Sequence, residues 1–346
     1  MEGEKMLTKQ PKNIDSLIEY LHKEKGIEIS NSSQKRQLMN MGYYHGYKGY
    51  RYIKNPQKII PYSKFEELHA IYEFDAQLKE LLYPWVMKIE TALKNYVLEV
   101  IIDKSASDNF NHIYNSLLNN YKSFSPNKKR NLSEDKRKIL ENKFYNELQR
   151  RLSLRDKIYK LQTNAFGNNN KIALHYLIKD SNLPIWAIFE LLSLGDFGTF
   201  VSCLNIDCRK NLSIKLGILQ ADDTAGMLPQ RIIFAIKDLR NAIAHNDVIF
   251  DTRFCTSDIA SHIGNAIKNA TQINNLTFQT ITDYLILIVY QLKLLDYSRD
   301  AIMNTIVNFE ESIQELRNNI PIEIFNKIIY TDNRKKLETL KKFVTN

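Results

Sequence analysis

The sequence predicts an all-α protein, and three observations lead there. Apolar residues recur at three- and four-residue intervals through most of the 346 residues, the period of a helix with one buried face. Glycine and proline, which punctuate helices, number only 11 and 8. Hydrophobic residues make up 44% and charged residues 25%, a globular composition in a chain long enough to bury a sizeable core.

The first helix is expected over residues 13–25, with Ile14, Leu17, Ile18 and Leu21 on one face and a stop at Gly26. A second spans 32–41 and leads into an aromatic, glycine-punctuated segment, 42–52. The longest helix begins near Ser63, read as an N-cap with Glu66 three residues on, and continues to about Asp103. Phe65, Leu68, Ile71, Tyr72, Leu78, Leu82, Trp85, Ile89, Leu93, Tyr96 and Val100 mark its stripe, and Pro84 inside it predicts a kink or break one turn earlier. A loop (123–131), a charged helix (133–160) and a polar link (164–170) follow. Pro184 opens an apolar helix to about Leu194, which Gly195-Asp196-Phe197-Gly198 interrupts. A helix from near Pro229 turns Ile232, Ile233, Ile236 and Leu239 inward and carries Arg240 and His245 at its end. The last third reads as three or four helices, one strongly apolar over 278–295 and short charged ones beyond it. The expected organisation is an N-terminal segment with the aromatic region (1–62), a helical core with a basic insertion at 121–164 (63–255), and a C-terminal helical extension (256–346).

The net charge of +9 is concentrated: residues 121–160 hold thirteen basic side chains against five acidic ones. Such a segment attracts a polyanion, so RNA contacts are expected from Lys128, Lys129, Arg130, Lys136, Arg137, Lys138, Arg150 and Arg151, the alternative being a solvated helix face. No large apolar face accompanies these charges, which argues against a membrane surface. The longest wholly apolar run, Tyr284 to Tyr290, is too short to cross a bilayer. The chain opens without a basic region followed by an apolar one, so a cytoplasmic protein is expected. Cys203, Cys208 and Cys255 lack the paired spacing of a zinc site and are read as reduced thiols, and no metal or other cofactor is expected. The phosphate-binding, dinucleotide-binding, zinc-protease and serine-hydrolase signatures are all absent.

The leading chemical candidate is Leu239-Arg240-Asn241-Ala242-Ile243-Ala244-His245. Cleaving RNA without a metal needs a group that moves a proton near neutral pH and a fixed cation beside the phosphorus, roles suited to histidine and arginine. Five residues of helix turn through about 500°, leaving the two side chains about 140° apart unless the helix ends or loosens between them. In this scheme an RNA 2′-hydroxyl attacks the adjacent phosphorus, His245 acts as base or acid, Arg240 stabilises the developing charge, and a 2′,3′-cyclic phosphate results. One imidazole does not easily serve both sides of a phosphorus, so a symmetric homodimer bringing two pairs together is expected. The plainer alternative is that His245 caps the helix C-terminus.

These residues resemble the HEPN ribonuclease signature as it occurs in the Abi-like abortive-infection family of bacterial phage-defence proteins (the AbiD/AbiF group). Other segments share the likeness in order: Lys9-Gln10-Pro11-Lys12-Asn13-Ile14-Asp15, Met41-Gly42-Tyr43-Tyr44-His45-Gly46-Tyr47, Tyr72-Glu73-Phe74-Asp75, Lys88-Ile89-Glu90-Thr91-Ala92-Leu93-Lys94 and Leu183-Pro184-Ile185-Trp186-Ala187. The resemblance runs from about Lys9 to Phe254. It implies a HEPN-like helical bundle acting as a ribonuclease, as a dimer, with Arg240 and His245 catalytic and Asn241 a supporting polar residue. It also implies restraint by a structured small RNA or another antitoxin. The chain departs from the family pattern at Pro84 and at His45, where the family often has arginine.

Glu90 is a weaker site candidate, set against the favoured reading of an i,i+4 ion pair with Lys94. Tyr43, Tyr44, Tyr47, Tyr50 and Tyr52, with Lys48 and Arg51 interleaved, either stack unpaired bases or form a packed aromatic lid. Asp222-Asp223 is read as a helix cap. The competing functional reading is a non-catalytic RNA-binding or protein-interaction module.

Overall fold

The computed structural model describes residues 13–125, 133–179, 181–255 and 261–346. Within them the protein is all-α: no strand forms, and β pairing is limited to isolated bridges such as Tyr52 with Ile59. The first two helices fall where the sequence places them. Helix α1 (Ile14–Lys25) is capped by Asn13, whose side chain accepts from the Ser16 N–H at 2.9 Å, and ends at left-handed Gly26 (φ +66°). Helix α2 (Ser32–Met41) runs into one turn of π-helix, Tyr43–Lys48, where the sequence suggested only an irregular segment.

Helix α3 (Phe65–Ser105) is 41 residues long and organises the core. Its start lies one residue beyond the expected cap. The Glu67 carboxylate, not Glu66, turns back to accept from Ser63 N at 2.8 Å and Ser63 Oγ at 2.9 Å, while Glu66 is drawn away to the Gln34 amide. No break occurs at Pro84. The proline sits on an exposed face, so the Glu80 carbonyl that loses its N–H partner is open to water while the opposite face stays packed.

Helix α4 (Phe110–Ser116) and a 3₁₀ turn, Asn120–Phe124, precede α5 (Glu134–Gly167), which continues through half of the expected polar link before α6 (Lys171–Leu177). Helix α7 (Ile185–Leu191) ends earlier than expected, and Gly195 to Gly198 lie inside the first turns of α8 (Leu194–Cys203) rather than interrupting a helix. Ser193 makes the boundary by accepting from Asp196 N at 3.1 Å. Gly198 is needed within α8 because a Cβ there would stand 3.0 Å from the Phe234 ring.

Helices α9 (Ile206–Lys215) and α10 (Leu228–Ala244) both pack on α3. The last third contains five helices among the described residues, more than the sequence suggested: α11 (Ser261–Thr271), α12 (Ile281–Leu294), α13 (Arg299–Asn319), α14 (Ile322–Ile328) and α15 (Asn333–Thr345). Every residue of α12 from Ile281 to Leu292 is buried, and α13 lies along α3. Asp283 of α12, fully buried, meets Lys336 of α15 at 2.9 Å and accepts from Phe278 N at 2.9 Å. No helix among the described residues is long and apolar enough to cross a membrane.

The tyrosine segment is tied to α3 through Asp75. This fully buried carboxylate accepts from Tyr50 OH at 2.7 Å, from the N–H groups of Ile249 and Phe250 at 2.8 and 2.7 Å, and pairs with Lys79 at 2.8 Å. Removing it strands three donors and takes the carboxylate from Lys79, which keeps Asn246 Oδ1. Asp75→Ala should therefore destabilise the protein by about 3 kcal/mol, and Tyr50→Phe by about 1 kcal/mol, in urea unfolding followed by circular dichroism. An Asp75→Ala loss below that of Tyr50→Phe would refute the anchoring role.

Burial raises the Tyr50 phenol, next to the Asp75 carboxylate, and the Tyr62 phenol well above the ordinary tyrosine value, and pushes Tyr47 up to about 12. An unfolded tyrosine ionises at about 10. A folded pKa raised above that value contributes stability that is complete below about pH 10 and lost as pH climbs toward the folded values. In an alkaline titration these phenols should ionise only together with loss of helical signal; phenolate absorbance from all tyrosines before any unfolding would contradict this.

Candidate functional site

Helix α10 is held at both ends. At its start, Asp223 accepts from the N–H groups of Met227 and Leu228 at 2.8 Å each, so the acidic pair of residues 222 and 223 provides a cap. Gly226 (φ +62°) presses the preceding loop onto α9, where a Cβ would lie 2.8 Å from Lys210 N. Arg209, fully buried, donates to the carbonyls of Ser202 and Ala225 at 3.0 and 3.1 Å, and burial lowers it to about 10. At the other end His245 is the C-cap and left-handed Asn246 (φ +56°) ends the helix. Asn246 N bonds Ile243 O at 3.0 Å and Asp247 N bonds Ala242 O at 2.8 Å, a Schellman arrangement with asparagine in glycine's usual place.

Two carboxylates of α3 reach this helix. Glu90, 7% exposed, lies 3.1 Å from Lys94 and 3.6 Å from Arg240 Nε. Asp75, 15 residues earlier in the sequence, holds Ile249 and Phe250 beyond the helix end, so α10 and its exit run back along α3. Between these anchors Lys79 donates to Asn246 Oδ1 at 2.9 Å. The backbone on both sides of His245 is thereby fixed.

The side chains behave differently. The Arg240 side chain is 31% exposed; its Nε lies 3.6 Å from Glu90 Oε2, an ion-pair approach in which neither atom finds a hydrogen-bond partner, and Nη1 is 3.5 Å from Asn241 Oδ1. The His245 imidazole is exposed and makes no hydrogen bond or ion pair among the described residues. The structure brings Arg240 together with Asn241 and Glu90, and it leaves the imidazole facing solvent one and a half turns further on. The arrangement offers a positioned cation and an accessible proton-transfer group on one helix end, with no direct bond between them.

The basic residues divide into several settings. Lys136, Arg137 and Lys138 are exposed on the first turns of α5, which contributes no buried side chain before Leu154. Arg150 pairs with Glu147, and Arg151 folds back onto the body, 3.6 Å above the Tyr114 ring with Nη2 donating to Tyr114 O at 2.9 Å. Lys128, Lys129, Arg130 and the N-terminal motif from Lys9 to Lys12 lie outside the described residues, as does the side chain of Tyr44. Tyr47 and Tyr50 are core residues, whereas Tyr43 is exposed, stacked on Tyr47 at 6.1 Å with Lys48 5.1 Å from its ring. Burial pushes the Cys203 and Cys208 thiols up to about 11. Among the described residues no three His, Cys, Asp or Glu side chains are grouped as a metal site requires.

Sequence reasoning weighed Glu90 as a weaker site candidate against an ion pair with Lys94, without its contact to Arg240, and read Asp75 only as part of a motif. A signal for both was present. Asp75 follows Ile71 by four and precedes Leu78 by three; Glu90 stands in the same relation to Val86 and Leu93. An acidic residue in a buried stripe demands a partner from another element.

Comparison with known proteins finds one family model, that of the Abi-like proteins, matching residues 36–251. No curated protein and no solved structure matches. The match takes in the tyrosine segment, all of α3, the basic helix, and α10 with its exit, which is more than half of the chain. The chain therefore belongs to the Abi-like protein family.

Proposed function

We propose that this protein is an endoribonuclease of bacterial phage defence that cleaves RNA without a metal. Family membership accounts for the coarse role, abortive infection. The nuclease reading is carried by the placement of Arg240, whose guanidinium lies within ion-pair distance of Glu90 and beside Asn241 yet is partly open to solvent, on the same helix end as an accessible imidazole. A cation held in advance by a buried carboxylate stabilises charge on phosphorus without having to reorganise.

In the reaction the 2′-oxygen forms a bond to phosphorus while its proton passes to an imidazole. The P–O5′ bond breaks, the 5′-oxygen takes a proton from a general acid, and a 2′,3′-cyclic phosphate and a 5′-hydroxyl remain. His245 supplies one of these proton transfers. In a homodimer the second copy of His245 supplies the other, and the two-fold axis doubles the Arg240 charge. Exposed Lys136, Arg137 and Lys138 attract the strand.

A second reading has its own observation. Glu90 is a buried carboxylate, so Arg240 also serves to neutralise it, as a purely structural residue in a non-catalytic RNA-binding or interaction module would.

Purified protein incubated with RNA in excess chelator separates the two. Cleavage should persist, fall about 10²- to 10³-fold in Arg240→Ala and about 10²- to 10⁴-fold in His245→Ala, with helical content retained. RNA that is bound but left intact by the wild-type protein would select the module instead. Glu90→Gln should slow cleavage about tenfold with little change in KM, because it loosens Arg240 without removing it. A rise in KM at constant kcat would show that Glu90 does not orient the reacting group.

A further inference from the structure

A cavity of about 430 Å³ opens where the exit of α10 meets the tyrosine segment. Lys48, Arg51 and Tyr52 line one side and Asn246, Asp247 and Arg253 the other, with His45 also contributing. Asn246 is the residue after His245, so the cavity wall begins one Cα step, about 3.8 Å, from the backbone of the proposed proton-transfer residue.

The cations in this cavity are not equivalent. Arg253 is committed to the fold: it contacts Asp251 at 2.6 Å and donates to the carbonyls of Gly49 and Tyr52 at 2.7 Å each, which clamps the two walls together. Lys48 and Arg51 have no carboxylate within ion-pair distance among the described residues. Arg51 Nε is shielded from solvent and lacks a hydrogen-bond partner, although the side chain as a whole is half-buried at the cavity. Asp247 is the acidic residue on the lining, exposed and on the opposite wall. Lys48 and Arg51 thus bring two positive charges without carboxylate partners to one cavity, a setting that suits an anion.

We propose that this cavity binds a phosphate of single-stranded RNA, that of the nucleotide neighbouring the scissile linkage. The Arg51 guanidinium donates to the phosphate oxygens and Lys48 adds a second positive charge. The ligand chemistry, anionic phosphate oxygens, is shared with free nucleotides. A strand is the source because the cavity adjoins the helix end that carries Arg240 and His245, and because exposed Tyr43 beside Lys48 presents a ring face to a neighbouring base. This assignment rests on the nuclease reading and adds to it the element that holds the substrate in register.

The test uses the full chain with His245→Ala, so that RNA is bound but not consumed, and a short fluorescent single-stranded oligoribonucleotide. Adding Arg51→Gln should weaken binding about tenfold and reduce the slope of log affinity against log salt by about 0.7, the value for one phosphate contact on a single strand. Lys48→Ala, on an exposed side chain whose loss does not endanger folding, should act in the same direction. Unchanged affinity and slope in both variants would overturn the proposal, even if Arg240 and His245 prove essential for cleavage. Binding that depends on Lys48 and Arg51 in a protein that cuts no RNA would support the phosphate site and sink the nuclease reading. A nucleoside monophosphate that displaces the oligomer at equal affinity would overturn the strand assignment.

Discussion

A buried carboxylate on the core face of a long helix must find cations or N–H donors, and α3 carries two of them against α10 and its exit. Asp75 and Glu90 occupy positions in the apolar stripe where leucine or valine would pack at no electrostatic cost. Lys94 and Lys79 of α3 itself partner them, and one further stretch of chain meets both: Arg240 for Glu90, and the Ile249 and Phe250 N–H groups for Asp75. Leaving either carboxylate unmatched costs more than its pairing contributes, so the two fix where α10 lies and where it must stop. The same Asp75 receives Tyr50, which draws the π-helical tyrosine segment to the point where α10 ends. Candidate site and neighbouring cavity both follow from that convergence.

This constraint explains why Arg240 and His245 have opposite environments though they share a helix. Arg240 lies on the side turned toward α3 and is held there by charge. His245 comes after enough rotation to leave the packed face, and the helix ends under it through the Asn246 turn. A fixed guanidinium and a solvent-facing imidazole suit a reaction whose substrate is a polymer arriving from outside, because the proton-transfer group is met first. In the homodimer we propose, the exposed end of α10 is where the second imidazole would enter.

Much of the helical framework was legible from periodicity and end signals, because those are local. Asn13 and Gly26 bound α1 with no help from the rest of the chain. The errors fall where a choice between neighbouring residues was made by tertiary contacts. Glu67 rather than Glu66 turned to Ser63 because Gln34 from α2 took the other carboxylate, and the glycines of α8 allow Phe234 to approach instead of breaking a helix. The site was half legible. The Arg240 to His245 spacing is a sequence property, whereas the Glu90 contact joins residues 150 positions apart and the cavity joins two distant segments, 45–56 and 246–254.

The charge distribution assigns different tasks to two regions that composition alone merges. Lys136 to Lys138 stand on an exposed, unpacked stretch of α5, where side chains are mobile and salt screens them within about 8 Å at physiological ionic strength. Such charges raise the rate at which a polyanion is met but fix no atom in place. Arg51 is the reverse case: a single half-buried guanidinium that lines the cavity with Tyr52 and Arg253 contributes little at long range and is directional at contact. Capture by the arm and registration by the cavity therefore depend on different physical terms. A chain that held all its excess charge in the arm would bind RNA in many registers and bring few linkages to Arg240. The small, unmatched cationic pair beside α10 converts attraction into position.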